Sequence, residues 1–304
     1  MDATGAPLAA EPAAAPVAWA YRIEAWGAAL LVALLRSLPL DAASAVGSLL
    51  GRRIGPRLRA SNNARRNLRA AFPELPETRI EAIVRGMWNN LGRVAAEYPH
   101  LRKIRVFDGP GRVETHGIEH LDRAIAAGRR VILFGGHLAN WEVAALAAGQ
   151  YGLDIAQIYR AANNPLVNRM LARLRGGGSE LIPKGAVASR RAVAALRRGG
   201  HVSLLADQKL NEGIAVPFFG RPAMTAPALA LLALRFDCAV LPARVERLGG
   251  ARFRLTLHPP LDVARSGDRD SDVLAIMTAV NATLEGWIRE RPEQWFWVHS
   301  RWPD

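Results

Sequence analysis

The chain has 304 residues, half of them hydrophobic and 22% charged. That balance excludes a disordered or fibrous polymer and suits one large domain or two modest ones. Lys plus Arg numbers 40 against 27 for Asp plus Glu, a formal charge of +13, so favoured partners are anionic: lipid headgroups, phosphorylated substrates or an acidic protein. The arginines are spread along the chain, with no helix-turn-helix and no interleaved stacking aromatics, so no nucleic-acid partner is expected. A single cysteine, Cys238, excludes an internal disulfide and a Cys-rich zinc site. Its apolar surroundings, Phe236 to Leu241, mark it as buried packing.

Residues 1–20 are rich in Ala and Pro and are expected to form a disordered tail. Residues 21–105 read as a helical, membrane-associated region. Between Glu24 and Arg36 lie only eleven uncharged residues, Ala25 to Leu35, whereas a spanning helix needs about 20. Trp26 within this stretch, and Arg52, Arg53, Arg57, Arg59, Arg65, Arg66 and Arg69 after it, fit a helix lying in the membrane interface against anionic lipid. Pro73 and Pro76 mark a turn. Apolar residues at Ile80, Ile83, Val84, Met87, Trp88, Leu91 and Val94 then place one helical face within Glu77 to Leu101.

Residues 106–304 read as an α/β domain, with strands and helices alternating from residue 113 onward. Residues 104–118 read as a strand region broken by Gly109-Pro110-Gly111. Leu121 to Ala127 predicts a helix, Val131 to Phe134 a buried strand, and Asn140 to Ala148 a helix. A strand follows at Ile155 to Tyr159, then a basic helix from Leu166 to Arg175 that stops at Gly176-Gly177-Gly178. The remaining order is helix 190–198, strand 201–206, helix 226–236, strands 239–245 and 253–258, and a long helix 271–290. This alternation predicts an α/β fold with a mostly parallel central sheet flanked by helices.

The segment Phe134-Gly135-Gly136-His137-Leu138-Ala139-Asn140-Trp141-Glu142 carries the strongest chemical signal. A buried strand stops at two glycines and presents a histidine just before a helix, where open α/β sheets place their sites. Five residues on a regular helix turn roughly 500°, so His137 and Glu142 share a face only if His137 lies in the preceding loop. There its ring could fold back onto the Glu142 carboxylate, giving a general base with an orienting partner. Gly176 to Gly178 follows basic residues but does not form a G-x-x-x-x-G-K-[ST] loop, and no G-x-S-x-G elbow is present. His116 and His120 sit four apart, but Glu119 adjoins the second His, unlike H-E-x-x-H, and Gly117 suggests a turn rather than a helix, so no metal is expected there; no other cofactor is expected either.

The H-x4-E arrangement of His137 and Glu142 resembles that of the bacterial late acyltransferases of lipid A biosynthesis. The segment Val113 to Leu121 is similar to the family's too, as are Tyr159-Arg160 with Asn164-Pro165, and Ala206-Asp207-Gln208. So are Val216-Pro217-Phe218-Phe219-Gly220-Arg221-Pro222-Ala223 with Thr225, and Pro292 to His299. These blocks keep the family's order over nearly the whole chain. The family often has Pro where this chain has Ala161, and Arg173 and Arg175 fit the matching arginine equally well.

The resemblance implies a membrane-bound enzyme on the cytoplasmic face of the inner membrane. It would move an acyl chain from acyl carrier protein to a hydroxyl of a phosphorylated glycolipid, a lipid A precursor. His137 would be the base and Glu142 its orienting carboxylate. Arg160, Asp207 and one of Arg173 or Arg175 would contact substrate. A phosphatidylinositol mannoside is the alternative acceptor, and acyl-thioester hydrolysis the alternative reaction. The apolar helix 226–236 and Trp287, Trp295, Trp297 and Trp302 are candidates for an acyl pocket or, more simply, for core.

Overall fold

The computed structural model describes residues 18–107, 111–175 and 179–302. Most of the tail assigned above to residues 1–20, most of Gly109-Pro110-Gly111, and Gly176 to Gly178 lie outside the described residues. The N-terminal part is helical: α1 (Trp19–Arg36), α2 (Leu40–Ile54), α3 (Ala60–Ala71) and α4 (Glu77–Glu97), followed by a 3-10 turn at Tyr98–Lys103. No described helix is long and apolar enough to cross a membrane. α1 buries none of its residues; Trp19, Trp26, Leu30, Leu31 and Leu34 are all exposed.

α2 packs against α4 through small residues. Cβ atoms built on Gly47 and Gly51 would lie 2.2 Å from the Gly92 carbonyl oxygen and 2.1 Å from that of Trp88. Only glycine permits this backbone contact. The opposite side of α2 leaves Leu49, Leu50 and Ile54 exposed beside the exposed Arg52 and Arg53.

The rest of the chain runs β1 (Val113–His116), α5 (Ile118–Ala126), β2 (Val131–Gly135), α6 (Glu142–Gln150), β3 (Ile155–Tyr159), α7 (Pro165–Arg175), β4 (Glu180–Pro183), α8 (Ala186–Arg197) and β5 (His201–Leu205). Then come β6 (Lys209–Phe218), β7 (Arg221–Thr225), α9 (Ala228–Phe236), β8 (Ala239–Gly249), β9 (Arg252–Leu257) and α10 (Arg269–Glu290). The described strands form a seven-stranded sheet, ordered β1-β9-β8-β2-β5-β3-β4, and a separate β6-β7 hairpin. Strands β8, β2, β5, β3 and β4 are mutually parallel, while β9 pairs antiparallel with β8. The expected α/β architecture with a mostly parallel sheet is therefore the observed one.

Alternation along the strands sorts the core onto two faces. On the first, Leu133, Leu241 and Ile155 pack under α5 and α6 with Leu121 and Ala148. On the second, Ile132, Phe134, Val202 and Val240 pack with residues of α8, α9 and α10. The chain thus leaves β2 toward the first face through α6, and leaves adjacent β5 toward the second through the hairpin and α9. Neighbouring strands with connections to opposite faces create a crevice at their carboxyl ends.

Two elements escape the sequence expectation. β4 is a short edge strand ending in a proline. The hairpin carries Pro217 and Pro222, which argue against strand, yet they pair with each other across its end. Its two-residue loop, Phe219-Gly220, has φ of 52° and 67°, as a type I′ turn requires. The backbone N–H of Phe219 donates to Glu285 on α10, which helps hold a bulky residue in this left-handed conformation.

Candidate active site

The site grows from strand register. Gly135 on β2 pairs with Leu205 on β5, and the backbone N–H of Ala206 donates to the Gly135 carbonyl at 2.9 Å. Two residues beyond that rung on each strand stand His137 and Asp207. They meet twice: ring Nδ1 lies 2.7 Å from Asp207 Oδ1, and the His137 backbone N–H donates to Oδ2 at 2.6 Å. The glycines make room for this. A Cβ on Gly135 would come within 2.8 Å of the Ala243 carbonyl oxygen, and one on Gly136 within 3.2 Å of Asp207 Oδ2.

Asp207 is fully buried and also accepts a hydrogen bond from Trp295 Nε1 at 2.7 Å. Burial opposes its ionisation, but the electrostatic attraction and hydrogen bonds of the His137 ring and main chain outweigh that. They hold its carboxyl below the ordinary carboxylate range. A carboxylate on Nδ1 fixes the tautomer and leaves Nε2 as the basic atom. The His137 ring is flanked by Trp141 and Phe296, at centroid distances of 5.1 and 6.0 Å. The amide nitrogen of Gln208 lies 3.4 Å from Nε2. Burial lowers the pKa of neighbouring His299.

The expected His137–Glu142 pair is corrected by this geometry. Glu142 begins α6, and its carboxylate is held in a two-pronged ion pair by Arg175 from α7, with Nε to Oε2 at 2.9 Å and Nη2 to Oε1 at 2.8 Å. The Tyr98 hydroxyl donates to Oε1 at 3.3 Å, and burial together with Glu142 keeps that phenol protonated. The guanidinium of Arg175 also stacks over Tyr159, 4.8 Å from the ring centroid. The two candidate arginines differ in position. Arg175 lies on the wall of the central cavity, whereas Arg173 is exposed and off it. Arg160 and Lys184 each follow the rung Tyr159–Pro183 between β3 and β4. Both are exposed and stand side by side on the cavity rim.

A buried polar network, unforeseen in the sequence, secures the loop that carries His137. Ala139 has φ of 50°. Its carbonyl accepts from Asn90 Nδ2 at 2.9 Å, and its N–H donates to the Gln294 carbonyl at 3.0 Å. Asn140 accepts from the Glu142 N–H and donates to Glu97 Oε2 at 2.9 Å. Glu97 is fully buried and paired with Arg247 at 2.6 and 3.0 Å. The signal was present: Asn90 and Glu97 continue the buried stripe Ile80, Ile83, Val84, Met87 and Val94 of α4. A charged residue in an apolar stripe implies a buried partner.

His137 and Arg175 line a cavity of about 1230 Å³ whose walls are mainly aliphatic. Helix α9 contributes Leu229, Leu231 and Leu232 to it, while Trp287, Trp295, Trp297 and Trp302 are buried in core and do not line it. Among the described residues no cluster of side chains suited to a metal ion occurs. A base oriented through Nδ1, with Nε2 touched only by the Gln208 amide at 3.4 Å and cations on the same cavity wall, can deprotonate a hydroxyl next to a bound acyl chain.

Comparison with known proteins fits this chemistry. A lipid A biosynthesis acyltransferase of Haemophilus influenzae is 24% identical over 92% of this chain and 89% of its own length. The lipid A biosynthesis lauroyltransferase of Escherichia coli is 28% identical over 78% of this chain and 76% of its own. A phosphatidylinositol mannoside acyltransferase of Mycobacterium tuberculosis is 28% identical, over 61% of this chain and 58% of its own length. The family model described as bacterial lipid A biosynthesis acyltransferase matches residues 16–304, and the chain belongs to that family.

Proposed function

We propose that this enzyme transfers a fatty acyl group from acyl carrier protein to a hydroxyl of a phosphorylated glycolipid, a precursor of lipid A, at the cytoplasmic face of the inner membrane. The observation that carries the reading is His137, its Nδ1 bound to Asp207, set with Arg160, Arg175 and Lys184 on the wall of a large apolar cavity. In the reaction, Nε2 removes the proton of the acceptor hydroxyl as its oxygen attacks the thioester carbonyl. Asp207 supports the imidazolium that forms. The tetrahedral intermediate collapses with cleavage of the C–S bond, and the departing thiolate takes the proton back from His137. The products are an ester and a free thiol, with no covalent enzyme intermediate. In this scheme Glu142 positions Arg175, and Arg175, Arg160 and Lys184 meet the phosphate and oxygen charges of the substrates.

The exposed apolar side of α1 and α2, with Arg36, Arg52, Arg53 and Arg57 exposed beside it, supports adsorption to anionic lipid. The basic surface suits an acidic carrier protein. The mannoside acyltransferases among the relatives keep a phosphatidylinositol mannoside as the second acceptor to test.

The deciding experiment incubates detergent-purified protein with acyl carrier proteins bearing dodecanoyl, tetradecanoyl or hexadecanoyl chains and a tetraacylated, phosphorylated lipid A precursor. Product mass is followed for the wild type and for His137→Ala. The expected product is heavier by one acyl chain and absent with the variant. Absence of transfer by folded wild-type protein would reject the lipid A acceptor, and undiminished transfer by the variant would reject the mechanism.

A further inference from the structure

The cavity beside His137 is lined by residues on both faces of the sheet, which divides it into two arms. On the first face it is walled by Leu133 and Ser203 from the strands and by Ala144 and Ala148 from α6. On the second it is walled by Leu204, by Ala188 and Val193 of α8, and by Leu231 of α9. Strand β5 shows the division most directly. It is an interior strand, yet the consecutive residues Ser203, Leu204 and Leu205, which point to alternate faces, are all only half-buried. The hydrogen bonds between β2, β5 and β3 close the sheet to any chain passing through it. The arms therefore join only over the carboxyl ends of these strands, at His137. A volume of about 1230 Å³ exceeds the roughly 300–1,000 Å³ of a site for one small ligand.

We infer that the enzyme binds two hydrocarbon chains at once, and that the arm on the first face holds an acyl chain already carried by the acceptor lipid. This rests on the acyl-transfer reading above and names what the acceptor must contain. The arms are assigned by their surroundings. The first-face arm lies beside α7, whose Asn168, Leu171 and Arg175 line the cavity. Asn164 at the start of α7 bonds the Tyr21 carbonyl and Glu24 of α1, at 2.8 and 3.0 Å. That arm thus adjoins the exposed apolar helix α1, the side from which a lipid would come. The second-face arm carries Lys184, Arg235 and Arg269 on its wall, all exposed, and suits a chain delivered by an acidic carrier. The hydroxyl to be acylated and the thioester carbonyl then meet at His137 from opposite faces.

Native mass spectrometry with dodecanoic acid tests the two arms without reference to turnover. The wild type is expected to bind two molecules, Ala144→Phe and Val193→Phe one each, and the double variant none. Ser203→Leu and Leu204→Phe fill the same arms from the sheet and serve where a helix variant fails to fold. One molecule on the wild type, or variants that leave the number unchanged, overturns the inference. In transfer assays, Ala144→Phe should raise KM for the long-chain acceptor by roughly tenfold or more, the equivalent of about two lost methylene contacts. It should leave the donor-length preference and KM for a hexanoyl-chain acceptor unchanged. Val193→Phe should move the donor preference to shorter chains. If both variants change only donor preference, a single donor chain fills the whole cavity and the inference is wrong. A wild type inactive on any glycolipid would reject the proposed acceptor, while the binding numbers would still judge the two arms.

Discussion

His137 and Asp207 are joined through both the ring and the main chain of the histidine, at 2.7 and 2.6 Å. One carboxylate therefore sets the tautomer of the base and anchors the loop that carries it. Asp207→Asn removes the charge but keeps the shape, so the fold should persist. kcat should fall by roughly 10³–10⁴, the scale on which a base with an unsupported tautomer fails, with a smaller change in KM. Steady-state kinetics on the variant check this, and an unchanged kcat would remove Asp207 from the mechanism.

The same carboxyl gives a pH signature in stability. Its folded pKa lies below the unfolded value, so its contribution is fully present above about pH 4. It is lost as the pH falls through the lower folded value. Across that window wild-type stability should fall with acidification by up to about 1.4 kcal/mol per pH unit more than that of Asp207→Asn. Urea unfolding at a series of acidic pH values measures the difference, and parallel slopes would contradict it.

Glu142 and Arg175 should behave as a coupled pair. Glu142→Gln leaves the partly buried guanidinium without its counter-charge and should destabilise the protein by about 1–3 kcal/mol. Arg175→Met should destabilise it to a similar degree, both read by urea unfolding. The double variant should lose less than the sum, a coupling of about 0.5–3 kcal/mol. Strict additivity would mean that the ion pair is not maintained in solution.

Glu97 lies beneath the loop that carries His137, with Arg247 as its buried partner. Removing one charge of such a pair costs about 3–5 kcal/mol, so Glu97→Gln should be strongly destabilised. Glu97→Met combined with Arg247→Met should recover much of the stability. It should not recover activity, because Asn140 would still lack its acceptor. Denaturant melts and turnover measured together decide; recovery of both would make the network purely structural.

Leu30→Glu with Leu34→Glu, on the exposed side of α1, should abolish co-sedimentation with phosphatidylglycerol vesicles and leave transfer to a detergent-dispersed acceptor intact. Wild-type binding should weaken with salt, as expected for contacts of roughly 1 kcal/mol per basic side chain. Vesicle binding unaffected by the two charges would place the membrane contact elsewhere.

The sheet strands were readable because a buried strand is a short apolar run, as Val131 to Phe134 is, or an alternating one. The alternation of strands with helices then gave the parallel architecture. What sequence spacing misjudged was the partner of His137. Glu142 is five residues away and Asp207 seventy, but the pairing of β2 with β5 makes the distant residue the neighbour. Glu142 meanwhile points to α7, whose position no local pattern reveals. Pro217 and Pro222 hid the hairpin by their chemistry, and β4 was too short and too exposed at its edge to stand out. Cys238 fell where expected. Buried, with its thiol pushed up to about 11 mainly by desolvation, it is a packing residue.

The backbone contact between α2 and α4 has a mechanical meaning. Two helices that touch at Gly47, Gly51 and Gly92 have no side-chain cushion between them and cannot slide or tilt without collision. α4 in turn grips the loop that carries His137 through Asn90 and, by way of Asn140, through Glu97. The leucines on the outer side of α2 are thus linked through α4 to the loop of His137. Any surface on which α2 comes to rest sets the height of the base above that surface, and a hydroxyl presented at another depth would pass out of its reach.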